Sequence, residues 1–379
     1  MNQKYILARD KINSFCYKQF AKPLFFISDP EKVHRRMMKT GNAFGKNSFT
    51  RFVIKKLFYY QNPILGQKIA GIEFKNPIGL AAGFDKDGEL VEILPKVGFG
   101  FEEIGSVTGK PCTGNPSPRL WRLPKAKSLV VWYGLKNKGA EEIAEKLQTL
   151  QARGFQFPIG VSAAKTNCAE TAQLDLGIED YLQVLRAFRK IGDYYTINIS
   201  CPNSFGGQDF QDAARLRKLF IAIEQEKLFC KPVFLKISPE LSKRELDEII
   251  SLCLEFSITG IICSNLIKQK KNATLTRDEE VIWQKGGISG KPVQKFALEQ
   301  VKYIYTKTKG KLIIIGCGGI FSAEDAYQYI CNGASLLQLI TGMIYEGPQV
   351  ISSINQGLVR LLQRDGFKNI FEAIGKDVQ

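Results

Sequence analysis

The chain has 379 residues, of which 44% are hydrophobic and 24% are charged, a composition typical of a globular protein. No apolar run reaches the about 18 residues that span a bilayer, and the N-terminus lacks the apolar core of a signal peptide, so we expect a cytoplasmic protein. One histidine and nine cysteines without a CxxC pair argue against a metal site and against a disulfide framework.

The first sixth of the chain is strongly basic. Residues 1–60 contain 13 Lys or Arg and 3 acidic residues, so they hold +10 of the net charge of +16. Aromatic residues such as Tyr5, Phe20, Phe52 and Phe58 are interleaved with these cations, a pattern typical of helices that lie on anionic lipid. A solvated helical surface and a nucleic-acid-binding segment are the alternatives. We favour peripheral contact with the inner face of the membrane over both, and expect no nucleic-acid partner.

A different pattern begins near residue 77, where eight β-type runs alternate with eight helical patterns. The predicted strands are 77–82, 98–104, 158–163, 194–200, 232–237, 258–263, 312–316 and 335–339. The predicted helices are 88–96, 140–153, 178–190, 213–226, 242–256, 293–308, 323–332 and 349–364. This count predicts a (β/α)8 TIM barrel in a domain at 62–379, which follows a helical extension at 1–61. A doubly wound sheet is the alternative, but no GxGxxG motif follows the first strand.

The predicted strand at 194–200 ends in polar side chains, because Pro202 cannot continue a central strand. Asn198, Cys201 and Asn203 lie at that end, and their amide and thiol groups can orient and deprotonate a small planar molecule. A turn with a buried cysteine is the alternative interpretation. The catalytic groups of a barrel lie at the carboxyl ends of its strands, which favours the chemical interpretation.

Other predicted strand ends carry groups that suit anions. Lys86 and Lys236 each follow a strand, and a lysine buried at a barrel mouth needs a negative charge to stay protonated. A lysine that extends into solvent is the alternative for each. Gly318, Gly319 and Thr341 present backbone N–H groups after the last two strands, the usual phosphate site of this fold.

Two predicted loops that follow strands are unusually long, at 106–135 and 266–291. Loops of this length usually have a function or are disordered. Since both would lie at the same barrel mouth as the polar strand ends, we expect them to form lids or walls of the site.

Several motifs resemble those of one known family. They lie at 76–86, 98–108, 114–119, 200–203, 286–292 and 333–339. Together they resemble the dihydroorotate dehydrogenase family, and the resemblance extends from about residue 28 to the end of the chain. Segments at 29–35 and 121–124 resemble the class 2 branch of that family, whose members associate with membranes and use a quinone.

The resemblance implies an enzyme that oxidises dihydroorotate to orotate in de novo pyrimidine (UMP) biosynthesis, with FMN as cofactor and a quinone as electron acceptor. Cys201 would act as general base, and Lys236 would stabilise the reduced flavin. The implied FMN-binding residues are Ala81, Ala82, Gly83, Ser106, Ser162, Asn198, Lys236, Ser264, Gly290, Gly318, Gly319 and Thr341. The implied substrate-binding residues are Lys86, Tyr133, Gly134, Leu135, Asn198, Asn203 and Asn265. His34 and Arg122 would lie on the quinone side.

Five positions depart from the family pattern, and one of them, Ile340, stands where the quinone-side wall often has Tyr. Cys201 stands where class 2 members usually carry serine and class 1 members cysteine, and a thiol, with an unperturbed pKa of about 8.5, loses its proton far more readily than a hydroxyl. Val131 and Leu266 replace an Asn and a Thr or Ser, and Ser162 replaces a flavin-contacting Asn. This pattern predicts either a loosened orotate site or a less polar substrate, because unpaired buried polar groups cost about 1–3 kcal/mol each.

Two alternative functions are compatible with the same residues. One is a paralogous FMN oxidoreductase that acts on another small cyclic or enone-like substrate. The other is a flavin-bearing protein with little turnover, whose basic N-terminal face binds an acidic partner.

Overall fold

The computed structural model describes residues 3–205, 209–268 and 286–378. Its strands, in chain order, are β1 (Gln67–Ile69), β2 (Ile72–Phe74), β3 (Ile78–Leu80), β4 (Phe101–Val107), β5 (Leu120–Leu123), β6 (Ser128–Val131), β7 (Ile159–Ala163), β8 (Tyr194–Asn198), β9 (Val233–Lys236), β10 (Gly260–Cys263), β11 (Gly287–Ile288), β12 (Ile313–Cys317) and β13 (Leu336–Leu339). Buried apolar residues dominate the barrel strands, as expected for parallel strands covered on both faces.

Eight of these strands are parallel and close into a barrel in the order β3, β4, β7, β8, β9, β10, β12 and β13. The closure confirms the predicted (β/α)8 fold over the doubly wound sheet. The register places functional positions side by side, since Asn198 at the end of β8 pairs with Lys236 at the end of β9.

The barrel interior is apolar at its amino end and polar toward its mouth. A buried cluster that includes Phe74, Phe101, Tyr194 and Phe234 fills the lower layer. Phe101 packs edge-on against Phe74, and Tyr194 against Phe234, each at 5.3 Å between ring centroids. This apolar layer fills the amino end of the barrel, so the polar strand ends lie at the opposite, carboxyl end.

The helices surround the barrel and cover its mouth. They are α1 (Gln3–Cys16), α2 (Lys22–Ile27), α3 (Pro30–Lys46), α4 (Ser48–Phe58), α5 (Leu94–Val97), α6 (Ala140–Gln151), α7 (Leu174–Ala187), α8 (Ala213–Gln225), α9 (Lys243–Glu255), α10 (Gln294–Thr308), α11 (Ala323–Cys331), α12 (Thr341–Glu346) and α13 (Val350–Arg364). A π-helical turn, Tyr17–Ala21, joins α1 to α2. Short 3-10 turns lie at Pro63–Leu65, Glu170–Ala172, Asp209–Gln211, Lys291–Val293 and Ile370–Ala373.

The four N-terminal helices pack against the barrel domain through specific contacts. Asp29 caps α3 by accepting the Lys32 N–H at 2.8 Å. Arg9, buried in an ion pair with Asp10 at 2.7 Å, also donates to the Ser352 hydroxyl of α13 at 2.9 Å. These bonds hold α1 on the last barrel helix. None of the helices in the described ranges is both long and apolar enough to cross a bilayer.

Two sequence predictions differ from the structure. The predicted helix at 88–96 is mostly turns, and only α5 is helical there. The predicted loop at 106–135 contains the β5–β6 hairpin, which forms a three-stranded sheet with β11. Of the second predicted loop, residues 269–285 lie outside the described residues.

Candidate functional site

A cavity of about 470 Å³ opens at the barrel mouth. One end is formed by strand ends and the following loops, which include Lys86, Cys201 and Lys236. The N-terminal helices and β5 line the rest of the cavity, with His34 on α3 and Arg122 on β5. The predicted thiol, the two predicted lysines and the two predicted quinone-side residues therefore all open onto the same space.

The thiol of Cys201 lies in the loop after β8, three residues beyond the strand end at Asn198. It is partly buried, and burial raises its pKa above the ordinary value, although the nearby Lys268 ammonium opposes that shift. The surroundings therefore make this thiol a weaker acid than a free cysteine, while the expected difference between a thiol and a hydroxyl is not affected. A thiol with a raised pKa is mostly protonated at neutral pH, so only a small thiolate fraction can accept a proton from a substrate.

Lys86 lies in the loop after β3, and its Nζ is 4.2 Å from the centre of the Tyr133 ring. Burial lowers the pKa of Lys86 to about 8, although the carboxylates of Asp87 and Asp85 act in the opposite direction. Within the described ranges Lys86 has no salt-bridge partner closer than 4.0 Å. A bound anion would supply that missing charge and restore the ordinary pKa.

Lys236 has an acidic neighbour that the sequence analysis missed. Its Nζ lies 3.9 Å from Glu103 Oε1 inside the barrel, where both side chains are buried. Glu103 Oε2 accepts hydrogen bonds from the Thr196 hydroxyl and the Gln338 amide, each at 2.9 Å. Side chains alternate between the inner and outer faces along β4. This alternation could have identified Glu103 as an interior residue, because it lies two positions after Phe101 and both point into the barrel.

Asn198 belongs to a chain of hydrogen bonds under the cavity. Its Nδ2 donates to Ser106 Oγ at 2.8 Å, and Ser106 Oγ lies 2.8 Å from Ser162 Oγ. The Tyr181 hydroxyl donates to the Asn198 carbonyl at 2.8 Å. The hydroxyl of Ser264 is buried and finds no partner among the described residues. Hydrogen bonds therefore connect this layer, and Ser264 Oγ is a polar atom in it that a ligand could satisfy.

The glycines predicted to hold a phosphate come together with Thr341. A Cβ on Gly319, whose φ is +68°, would lie 3.1 Å from the Gly290 carbonyl oxygen. A Cβ on Gly290, whose φ is +79°, would lie 2.9 Å from Thr341 Cγ2. Because α12 begins at Thr341, its first N–H groups lack intrahelical partners and point outward. Together with Gly318, these residues form a cradle that a side chain would fill and a phosphate could occupy.

The helical end of the cavity is largely apolar. Phe44, Ile340 and Met343 contribute to its lining. The Nε2–H of His34 donates to the Phe84 carbonyl at 2.9 Å, and burial lowers the pKa of His34 to about 3, so its ring is neutral at physiological pH. Arg122 Nη1 donates to the Ser28 carbonyl at 2.8 Å.

Comparison with known proteins identifies the family. Residues 64–362 match the model of the family described as dihydroorotate dehydrogenase. The chain belongs to the dihydroorotate dehydrogenase family. The family resemblance and the class 2 assignment made from sequence are confirmed.

Curated relatives of this dihydroorotate dehydrogenase family member align with nearly its whole length. A protein of Trichodesmium erythraeum (strain IMS101), named dihydroorotate dehydrogenase (quinone), is 38% identical over 373 residues, covering 95% of this chain and 98% of the relative. One of Crocosphaera subtropica (strain ATCC 51142 / BH68), with the same name, is 38% identical and covers 94% and 98%. The ligand-free DHODH of Eimeria tenella is 29% identical, with a TM-score of 0.81 over 93% of this chain and all of that one.

The predicted site residues of this dihydroorotate dehydrogenase family member divide into two groups. Those that line the cavity are Lys86, Tyr133, Gly134, Leu135, Asn198, Cys201, Asn203, Asn265, Ala82, Gly83, Ser106, Lys236, Thr341, His34 and Arg122. Those that do not line it are Ala81, Ser162, Ser264, Gly290, Gly318 and Gly319. Ser162 stands behind Ser106, and the glycines form the adjoining cradle.

Proposed function

We propose that the chain is a quinone-linked dihydroorotate dehydrogenase that oxidises dihydroorotate to orotate in pyrimidine biosynthesis. The observation that carries this proposal is the common cavity of Cys201, Lys86 and Lys236, which continues into an apolar passage beneath the N-terminal helices. A small anion and an apolar electron acceptor could therefore each reach the same centre from a different end. The relatives whose names include this activity support the same conclusion.

The cofactor proposed for this flavin-dependent family member is FMN. The cradle of Gly290, Gly318, Gly319 and Thr341 suits a phosphate, and the buried hydroxyl of Ser264, which has no partner among the described residues, suits a polar ring edge. Bound FMN would supply the two-electron acceptor for the hydride that leaves the substrate. Ala81, Ala82, Gly83, Ser106, Ser162 and Asn198 would form the wall and support of the ring site.

The chain's own residues would bind the substrate carboxylate, orient the substrate ring and accept its proton. Lys86 would hold the substrate carboxylate, because its ammonium sits over Tyr133 and has no acidic partner within 4.0 Å in the part of the chain that the structure describes. Asn198, Asn203 and Asn265 would orient the ring through their amide groups, along with the backbone of Gly134 and Leu135. Cys201 would accept the proton from substrate C5 as its thiolate, while hydride leaves C6.

Lys236 would act electrostatically. Its ammonium, held near Glu103 at 3.9 Å, would stabilise negative charge that develops on the cofactor ring during reduction. Glu103 is itself fixed by two hydrogen bonds, so the ammonium is held in place before the reaction.

The N-terminal helices would deliver the quinone and hold the enzyme on a membrane. His34 and Arg122 would lie beside the quinone at the apolar end of the cavity. Eight large hydrophobic side chains in the described part of this N-terminal segment are each more than half exposed: Tyr5, Ile12, Phe15, Phe20, Leu24, Ile27, Phe49 and Phe52. Such a set, among many lysines, fits the inner face of an anionic membrane, so 1–61 would be the membrane-associating part of a cytoplasmic enzyme and 62–379 its catalytic barrel.

The decisive experiment is anaerobic titration of the flavin-loaded enzyme with dihydroorotate, followed by flavin absorbance. We expect the flavin bands to bleach. Bleaching by another dihydropyrimidine or by NAD(P)H, with none by dihydroorotate, would assign the chain to a different reaction. Loss of all bleaching would favour a flavin-bearing protein without turnover.

The proposed base is tested in the same assay. Cys201→Ser should slow flavin reduction by about 100-fold or more and move its pH profile upward, because a hydroxyl is a far weaker acid than a thiol. Cys230→Ser, which changes an exposed thiol far from the cavity, is the matched control. An unchanged profile in Cys201→Ser would show that another group accepts the proton.

A further inference from the structure

Three apolar side chains border Cys201 at the substrate end of the cavity. Val131, Pro202 and Leu266 all line this end, and we call them the apolar wall. They meet around Gly287, where an added Cβ would lie 2.7 Å from Leu266 Cβ and 3.3 Å from Pro202 Cγ. Gly287 also pairs with Val131 in the antiparallel ladder between β6 and β11. Three separate segments of the chain therefore form one continuous hydrocarbon surface.

The carboxamides of Asn203 and Asn265, beside the apolar wall, already make hydrogen bonds within the protein. Asn203 Nδ2 donates to the Val131 carbonyl at 2.8 Å, which ties the loop of Cys201 to β6. Asn265 Nδ2 donates to the Ser200 hydroxyl at 3.0 Å, and Asn265 Oδ1 accepts the Leu266 N–H at 2.9 Å. These bonds reduce what either amide can offer a ligand.

The chemistry of this wall limits which ring edge can face it. A polar edge turned toward Val131 and Leu266 would lose water and gain no hydrogen bond, which weakens binding. An alkyl substituent in the same place would lose only unfavourable contact with water. The ligand still needs an anionic group that binds Lys86, which lies on a different loop of the cavity.

We propose that this site accepts a carboxylated dihydropyrimidine that carries a small alkyl group on the edge facing the apolar wall. The inference rests on the proposed function, because Lys86 and Cys201 keep their roles toward carboxylate and ring proton. Val131 and Leu266 are then specificity-determining residues. A site without room for a methyl group rejects it by about 10–200-fold, so acceptance is readily distinguished from rejection.

The test is equilibrium binding to the flavin-loaded full chain by calorimetric titration. The probes are orotate and its 1-methyl, 3-methyl and 5-methyl derivatives. We expect at least one methylorotate to bind as tightly as orotate to within about threefold, or more tightly, whereas a site that rejects methyl groups would weaken all three by about tenfold or more. Weakening of every methylorotate beyond threefold overturns the inference.

Variants of the apolar wall give a second measurement. Leu266→Thr and the double variant Val131→Asn with Leu266→Thr should shift the affinity ratio toward orotate by about tenfold, because each adds a polar group to the wall. Val33→Asn, at the helical end of the same cavity, is the matched control for that ratio. An unshifted ratio in folded wall variants also overturns the inference.

These results are separable from the proposed function. If dihydroorotate bleaches the flavin and every methylorotate is rejected, only the inference about the apolar wall fails. If neither dihydroorotate nor orotate interacts with the holoenzyme, the proposed function itself fails.

Discussion

The barrel end of the cavity and the N-terminal helices that cover its other end differ in which side chains they bury and which they expose. At the barrel end, Lys236 and Glu103 are buried and held by defined partners, and Lys86 is poised over an aromatic ring. On the outer surface of the N-terminal helices, which cover the other end, the apolar side chains of Ile27 and Phe49 are 83% and 71% exposed. One end buries charge and the other exposes hydrocarbon, and both arrangements cost free energy unless something binds there.

This contrast indicates two different kinds of binding partner. A buried cation such as Lys86, with no carboxylate within 4.0 Å among the described residues, fits a small anion that would complete its electrostatic environment. A basic surface with exposed aromatic residues fits an extended anionic layer. Each prediction below removes one feature from one end and asks whether the other end keeps its behaviour.

The largest effect is expected from Lys86→Met. The variant should lose about 100-fold or more in kcat/KM for dihydroorotate, since truncating one member of a buried charge pair costs about 2–5 kcal/mol. Flavin content should be unchanged, because Lys86 lies apart from the phosphate cradle. Steady-state kinetics with a water-soluble quinone analogue measure this loss. Lys136→Met, which removes a half-exposed lysine from the same cavity, is the control and should have a small effect.

The pH dependence of KM in the native enzyme tests whether Lys86 binds the substrate carboxylate. Its pKa of about 8 in the free protein means that the cation is fully present only below that pH. Affinity for an anionic substrate should therefore fall above pH 8, by up to about tenfold per pH unit, and KM should rise. A flat KM between pH 7 and about 9.5 would show that Lys86 does not hold the carboxylate.

The sequence predicted the barrel end well for a simple physical reason. A parallel barrel brings all strand ends to one mouth, so Cys201 and Lys236 could be placed together from strand order alone. Glu103 was missed because its partnership with Lys236 depends on which face of β4 points inward. The raised pKa of Cys201 also depends on burial, which a linear pattern does not report.

The segment at 88–96 was predicted to be a helix but is mostly turns, and hydrogen bonds to one side chain explain the difference. The Asp85 carboxylate accepts the N–H groups of Glu89 and Leu90, at 2.8 Å and 2.6 Å. These bonds hold the chain in a turn where helical periodicity alone predicted a helix. The same turn fixes the loop that carries Lys86, so the local irregularity serves the site.

A smaller effect is expected from changing the exposed aromatic residues at the helical end. Phe49→Glu with Phe52→Glu should lower partitioning onto anionic vesicles by about tenfold or more, because burying one Phe side chain stabilises by about 1.5–3 kcal/mol. Dihydroorotate-dependent flavin reduction should be unaffected. Vesicle co-sedimentation provides the measurement, and Phe371→Glu, an equally exposed site on another part of the surface, is the control. Equal partitioning of all three proteins would exclude this face as a membrane contact.

The smallest effect concerns a buried acid behind the Lys86 loop, where no ligand is expected. Burial raises the pKa of Glu102 well above its ordinary value, and the neighbouring Asp85 carboxylate raises it further. The stabilising contribution of the protonated form is fully present below the unfolded-state pKa of about 4.3 and is lost as pH rises through the folded-state pKa. Glu102→Gln has no proton to lose, so it should be more stable than the native chain by a margin that grows from pH 5 upward.

Thermal unfolding at pH 5, 7 and 9 measures that margin, which should reach a few degrees, since 1 kcal/mol shifts the Tm by about 2–4 °C in a domain of about 150–250 residues and by less in a longer chain. Glu141→Gln, on the exposed face of α6, is the control and should show no growing difference over this range. A constant difference for Glu102→Gln would mean that Glu102 is ionised in the folded protein. Buried charge at the barrel end would then extend beyond the groups that meet a ligand, and the contrast between the two ends would no longer identify the substrate site.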